Sequence, residues 1–193
     1  PSQGRAPMPS PAAESSFCDN RDVVGQAGGY AARGYAALDL STAFIGHVGD
    51  DAMGRWVREV LGADGVDLRG LAVDPAGTAR SVNLMRDDGT RLGCYDGRGH
   101  MGLPPPAEET CRAVLAGARL VHVNLANWAR RVLPWAREAG ATVACDLQDL
   151  HDLDDPYRAD FIAAADILAF SAVNQGGPEG VDTQLRRLWE RRP

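Results

Sequence analysis

Short apolar runs alternate with amphipathic stretches from about residue 21 to the end of the chain. Four of these runs predict strands suited to burial on both faces, at Ala43–Val48, Leu120–Asn124, Thr142–Asp146 and 167–171. Helices are predicted at 30–40, 51–62, 107–116, 128–139, 156–165 and 179–192. Such an alternation is typical of a mostly parallel α/β sheet covered by helices on both faces.

The stretch 51–62 has the clearest helical pattern. Its apolar side chains stand at 53, 56, 57, 60 and 61, the spacing of one buried stripe, while 55, 58 and 59 are charged. Asp50 or Asp51 is the predicted N-cap.

One segment interrupts the alternation. The extended runs 81–85 and 91–95 flank Asp87-Asp88-Gly89-Thr90, a tight-turn sequence, so a β-hairpin is predicted at about 80–96. A hairpin inserted into a layered α/β structure projects from it and often serves as a lid or a dimer surface.

Residues 1–20 are rich in Pro, Ser and Ala and contain almost nothing to bury. Ordering such a segment would cost entropy without compensation, so a flexible tail is predicted there. The remaining residues, 21–193, are enough for one domain.

Charge and composition exclude several function classes. The chain contains 20 basic residues, every one of them Arg, and its net charge is -6. Without Lys, a Walker-type phosphate loop, a Schiff-base enzyme and a pyridoxal phosphate enzyme are excluded. The negative charge argues against nucleic-acid binding, which depends on clustered cations.

Cysteine usage and hydropathy indicate the cellular setting. The four cysteines, at 18, 94, 111 and 145, show no metal or redox spacing and are interpreted as reduced and mostly buried. No apolar run is long enough for a membrane span, and the N-terminus has no signal-peptide core. A cytoplasmic protein without membrane contact is therefore expected.

Two features could bind a ligand. Gly28-Gly29 precede a predicted helix, where a ligand could approach the backbone closely, although an ordinary turn also explains them. Asp146 ends a predicted parallel strand, on the side where open α/β sheets bind ligands. The acidic loop after it, 147–155, is explained as a solvated surface, and the four histidines show no paired metal spacing.

The order of the motifs resembles that of the ribokinase-like (PfkB-type) carbohydrate kinase family over roughly residues 22–190. The motifs are Gly28-Gly29, TAFIGHVGDDAMG at 42–54, GADGVD at 62–67, GTA at 77–79 with the Asp88-Gly89 hairpin, and the segments 120–124, 139–146 and 165–174. The resemblance implies a three-layer α/β/α sandwich with a mostly parallel sheet and a small hairpin lid, incomplete in this chain.

The resemblance also implies phosphoryl transfer from ATP, with magnesium, to a hydroxymethyl group of a sugar or nucleoside. It assigns substrate binding to Gly28, Gly29, Arg33 and Asp146, and a weak magnesium role to Asn174. A homodimer through the hairpin is a further implication.

Several positions depart from the family's pattern. No Gly-x-Gly-Asp segment occurs after Val173, so the catalytic base and anion hole have no candidate. Arg33 replaces the usual Asn, Leu147-Gln148 replaces Pro-Asn, and Gly177 replaces the Glu of the magnesium motif. The low-complexity tail stands where the family has its first strand.

Three accounts remain open. The chain is a truncated, degenerate or fragmentary kinase that is inactive alone, a non-catalytic small-molecule-binding or partner-binding module derived from one, or an unrelated α/β enzyme such as a nucleotide-binding oxidoreductase.

Overall fold

A computed structural model describes residues 19–86 and 89–190. Most of the predicted tail and the Asp87-Asp88 pair of the predicted turn lie outside the described residues. The division into tail and domain stays a prediction.

Six helices and seven strands follow one another in the described residues. The helices are α1 Gln26–Ala37, α2 Ala52–Ala63, α3 Glu108–Leu115, α4 Leu133–Glu138, α5 Ala159–Ala164 and α6 Pro178–Glu190. The strands are β1 Ala43–Val48, β2 Asp67–Val73, β3 Arg80–Met85, β4 Arg91–Asp96, β5 Leu120–Asn124, β6 Thr142–Asp146 and β7 Ile167–Ala169. Short 3-10 turns occupy Asn127–Arg131 and Ala172–Asn174.

Parallel pairing dominates the strands. β1 pairs with β2, and β5, β6 and β7 form a second parallel group in that order. Only β3 and β4 are antiparallel, and they form the predicted hairpin as a sheet of their own. The predicted α/β class with a mostly parallel sheet and a projecting hairpin is confirmed.

Helices cover both faces of the β1–β2 pair. Phe44 and Ile45 are neighbours on β1, so their side chains point to opposite faces. Phe44 packs into a cluster built around Ala32 of α1 and Leu61 of α2. Ile45 packs into the larger cluster, which contains Phe161 and is formed by residues from α3 to α6 and from β5 and β6.

Several predicted boundaries need correction. β2 was not predicted, because Arg69 and Gly70 break its apolar run. The first helix begins at Gln26 rather than at residue 30, so Gly28-Gly29 lie inside its first turn. The predicted helix 128–139 is divided into a 3-10 turn and α4, with Pro134 in the first turn of α4, where its missing N–H costs nothing. β7 ends at Ala169, two residues early.

The hairpin has one apolar face. Val82 opposes Cys94 and Leu84 opposes Leu92, so these four side chains share one face. Val82 is 59% exposed and Cys94 is exposed, whereas Cys111 and Cys145 are buried, as predicted for most of the cysteines. No helix in the described part of the chain is long and apolar enough to cross a membrane.

Candidate functional site

The carboxyl ends of the parallel strands gather on one side of the molecule. In the second group of strands, Asn124 at the end of β5 stands opposite Asp146 at the end of β6. His47 near the end of β1 contacts Trp128, just after β5, edge to face at a ring-centroid distance of 5.1 Å. The loops following β1, β5 and β6 therefore share one edge, and the segments 49–51, 74–80, 96–100 and 124–128 together with Asp146 are called the carboxyl edge below.

Gly28 brings the first turn of α1 against this edge. A Cβ added at Gly28 would lie 3.3 Å from Cε2 of Phe44 and 3.4 Å from Nδ2 of Asn124. Among the described residues no side chain caps α1, so its first backbone N–H groups retain their capacity to donate to a ligand. The missing side chain of Gly28 leaves room at this junction.

Asn124 is the functional candidate that sequence reasoning missed. Its Oδ1 is buried and accepts no hydrogen bond within the described residues. An unsatisfied buried carbonyl is costly, so an acceptor in this position is suited to a hydroxyl or amino donor from a ligand. A polar residue at the end of an apolar strand was the available signal, the same one that singled out Asp146.

Asp146 is half-buried and holds the turn that follows it. Its Oδ1 accepts a hydrogen bond from the Gln148 backbone N–H at 2.8 Å. Gln148 has φ of 56°, a left-handed conformation that this Asx-type turn supports. A carboxylate has further acceptor sites, so Asp146 can still receive hydrogen bonds from a ligand.

Gly29 and Arg33 face away from the Gly28 junction. Gly29 is buried against Val24, on the inner side of the helix. Arg33 is five residues beyond Gly28, which places it about 140° around the helix axis. Its Nε donates to Asp64 Oδ2 at 2.6 Å. The predicted substrate role of Arg33 stays a prediction, and that ion pair would have to open for it.

Asp51 ties the start of α2 to the segment leading into the hairpin. As predicted, it is the N-cap of α2, with Oδ1 accepting from Gly54 N–H at 2.8 Å. The same carboxylate accepts from the Thr78 hydroxyl at 2.7 Å and from Thr78 N–H at 2.9 Å. These hydrogen bonds from Thr78 and Gly54 hold the pKa of Asp51 well below its usual range. These contacts fix the segment that leads into the hairpin at the carboxyl edge.

Asp74 holds the segment that follows the hairpin. It is only 4% exposed, and its carboxylate accepts from Ala76 N–H at 2.8 Å and from Gly99 N–H at 2.9 Å. Burial lowers the pKa of both His47 and His100, and Asp74 opposes that shift in each case. Both imidazoles are therefore predominantly neutral near pH 7.

Asn174, the predicted magnesium ligand, is held by its own neighbourhood. Its Nδ2 lies 3.1 Å from His151 Nε2 and donates to the Asp149 carbonyl at 3.4 Å. Gly177, three residues on, supplies no carboxylate. No group of three His, Cys, Asp or Glu residues that could hold a metal occurs within residues 19–86 and 89–190. The residues present do not fit a magnesium ion.

Two curated proteins are similar in sequence to this chain, although no family model matches it. The acarbose 7(IV)-phosphotransferase of Actinoplanes sp. (strain ATCC 31044 / CBS 674.73 / SE50/110) is 33% identical over 77% of the chain. The ATP-dependent ribose-1-phosphate kinase of Halopiger xanaduensis (strain DSM 18323 / JCM 14033 / SH-6) is 30% identical over 83% of it. The chain spans about half the length of these relatives, 49% and 54% respectively.

Solved structures of kinases are also similar to this chain. A microbiome-derived acarbose kinase superposes with a TM-score of 0.80 at 32% identity, covering 94% of this chain and 59% of its own length. The ribokinase of Arabidopsis thaliana, solved with ribose and ATP, superposes with a TM-score of 0.66 at 21% identity, covering 82% of this chain and 55% of its own length. The second likeness shows the shared fold alone.

Proposed function

We propose a function on the premise that this chain belongs to the ribokinase-like (PfkB-type) carbohydrate kinase family, to which its relatives and its fold assign it. The chain supplies the sugar-binding part of an ATP-dependent kinase that phosphorylates a hydroxyl group of a sugar or nucleoside. These 193 residues do not catalyse the transfer by themselves.

One observation carries the binding proposal: at the carboxyl edge Asn124 packs against Gly28 and stands opposite Asp146, and both polar side chains have acceptor capacity unused. Hydroxyl groups of a sugar would donate to the Asp146 carboxylate and to Asn124 Oδ1, while the first N–H groups of α1 would donate to a sugar oxygen. Gly29 supports the site from inside the helix. A few such hydrogen bonds, each replacing one to water, correspond to millimolar affinity.

The catalytic part of the proposal follows from residue chemistry. Positioning and charge stabilisation supply nearly all of the catalysis in phosphoryl transfer, so a kinase needs a base and an anion-binding turn. Within these 193 residues there is no Lys and no Gly-x-Gly-Asp segment after Val173. The relatives imply ATP use, but the residues around Asn174 do not fit magnesium, so we derive no step through a metal.

Titration calorimetry with a panel of sugars and nucleosides tests binding. We expect weak heats that Asp146→Ala abolishes and that Asp182→Ala, a matched change on α6, leaves intact. If no member of the panel binds, the result contradicts the binding proposal and favours the partner-binding module that the sequence left open.

A coupled ADP-release assay with ATP, magnesium, potassium and the same panel tests the absence of turnover. Turnover above background that disappears on mutating a residue of this chain would refute this part of the proposal. The proposed location is the cytoplasm, where ATP is available.

A second copy of the chain is the proposed protein partner, through the hairpin. Val82, Leu84 and Cys94 are exposed on one apolar face, and pairing two such faces would remove them from water. Sedimentation of the intact chain should then show a dimer that Leu84→Asp converts to monomer. A monomer at all concentrations contradicts this pairing.

A further inference from the structure

The carboxyl edge is negatively charged. Its segments carry five carboxylates, at positions 50, 51, 74, 96 and 146, and two guanidinium groups, Arg80 and Arg98. Arg98 pairs with Asp96 at 3.3 Å, and Arg80 stands opposite Asp96 in the hairpin register. Both guanidinium groups of the edge are thus placed next to Asp96, one of the edge's own carboxylates.

Two arginines outside the edge are engaged in ion pairs as well. Arg33 is paired with Asp64, and Arg158 is paired with Asp149 and Asp155. The histidines add no positive charge near pH 7, because burial lowers the pKa of His47 and His100. The positive end of α1 is favourable for an anion, but it lies beside Asn124, which stands opposite Asp146 in the strand register.

Two side chains of this edge, Asn124 and Asp146, have acceptor capacity left open. Asn124 Oδ1 and the Asp146 carboxylate can receive hydroxyl donors, whereas the oxygens of a phosphate dianion can only accept. The phosphate group of a sugar phosphate would therefore bring two negative charges toward a net negative surface, and its own oxygens could not donate to the buried acceptor.

We infer that this site selects an uncharged saccharide over a sugar phosphate. The inference rests on the proposed function, because it assumes that sugar binds at the carboxyl edge. It distinguishes two substrate types that the relatives' names contain, since one is an acarbose kinase and the other a ribose-1-phosphate kinase.

Chemical-shift titration of the 15N-labelled intact chain tests this with matched ligands, ribose against ribose-1-phosphate and glucose against glucose-1-phosphate. At 10 mM salt and pH 8 we expect the neutral member of each pair to bind at least about tenfold more tightly, since a dianion several ångströms from a carboxylate is repelled even in water. The difference should narrow at 0.5 M salt, where the Debye length is only a few ångströms.

Two variants test whether the charge of the carboxyl edge causes the preference for the neutral ligand. Asp50→Asn removes an exposed charge from the edge, and we expect it to reduce the preference severalfold. Asp182→Asn removes the same charge from α6 and should leave the preference unchanged.

Each outcome has one meaning. A sugar phosphate that binds as tightly as its neutral partner, or a preference insensitive to salt and to Asp50→Asn, overturns the inference while sugar binding stands. If no ligand shifts the resonances of Gly28, Asn124 and Asp146, the proposed function itself fails, and the inference fails with it.

Discussion

Two glycines of the same helix should respond differently to one added methyl group. Gly34 lies in the interior of α1, and a Cβ there would meet nothing within 4 Å. Gly34→Ala should therefore stabilise the fold by about 1 kcal/mol, the difference in helix propensity. For a domain of this size that corresponds to a rise in Tm of about 2–4 °C.

Gly28→Ala brings the same methyl group against the carboxyl edge. Its Cβ would lie 3.3 Å from Phe44 and 3.4 Å from Asn124, so one of these side chains must move by a few tenths of an ångström. Crowding of a packed site costs about 1 kcal/mol or more, which offsets the helix-propensity gain and leaves Tm near that of the wild type. Because the methyl group fills the junction beside the Asn124 carboxamide, sugar affinity should fall at least about tenfold, or 1.4 kcal/mol.

Thermal unfolding of both variants, followed by calorimetric titration with the best sugar of the panel, measures the two effects separately. Gly34→Ala is the matched control, because it should keep wild-type affinity. Equal stabilisation by both substitutions, with unchanged sugar binding by Gly28→Ala, would refute the placement of Gly28 against Asn124 and the site built on it.

Three further predictions concern stability and reactivity. The pKa of Asp51 is lower in the folded chain than in the unfolded chain, so its ionised form stabilises the fold above the unfolded pKa near 4, and this stability is lost as pH falls below that value. Thr78→Val removes one hydrogen-bond donor to Asp51. In pH-dependent unfolding, this variant should lose less stability at acid pH than the wild type. Phe161→Ala should destabilise the chain by about 3–5 kcal/mol in urea titration, since Phe161 is fully buried; a smaller loss would mean that the core around α5 is loose. Burial raises the pKa of the Cys145 thiol to about 12, so peptide mapping after iodoacetamide treatment at pH 8 should find Cys94 labelled and Cys145 unlabelled until the chain is unfolded.

Local signals were sufficient for much of the architecture. The periodicity of 51–62 and the cap at Asp51 depend on residues a few positions apart, so they can be read along the chain. The same is true of the hairpin, whose turn residues lie between two extended runs. β2 was not predicted because its pairing with β1, rather than its own sequence pattern, makes it a strand. In that pair, Gly70 lets the backbone come close to Phe44.

The candidate site depended on contacts between distant parts of the chain. Gly28 and Asp146 could be singled out from the sequence, since a glycine pair and a strand-end carboxylate are local features. Asn124 carried the same local signal as Asp146, but its importance comes from an unsatisfied, buried Oδ1 and from packing against Gly28, almost a hundred residues earlier. The position of Arg33 was likewise decided by Asp64, which binds its guanidinium on another face of α1. Sequence patterns specify elements because backbone periodicity is local, whereas only tertiary packing determines which polar atoms are left without partners.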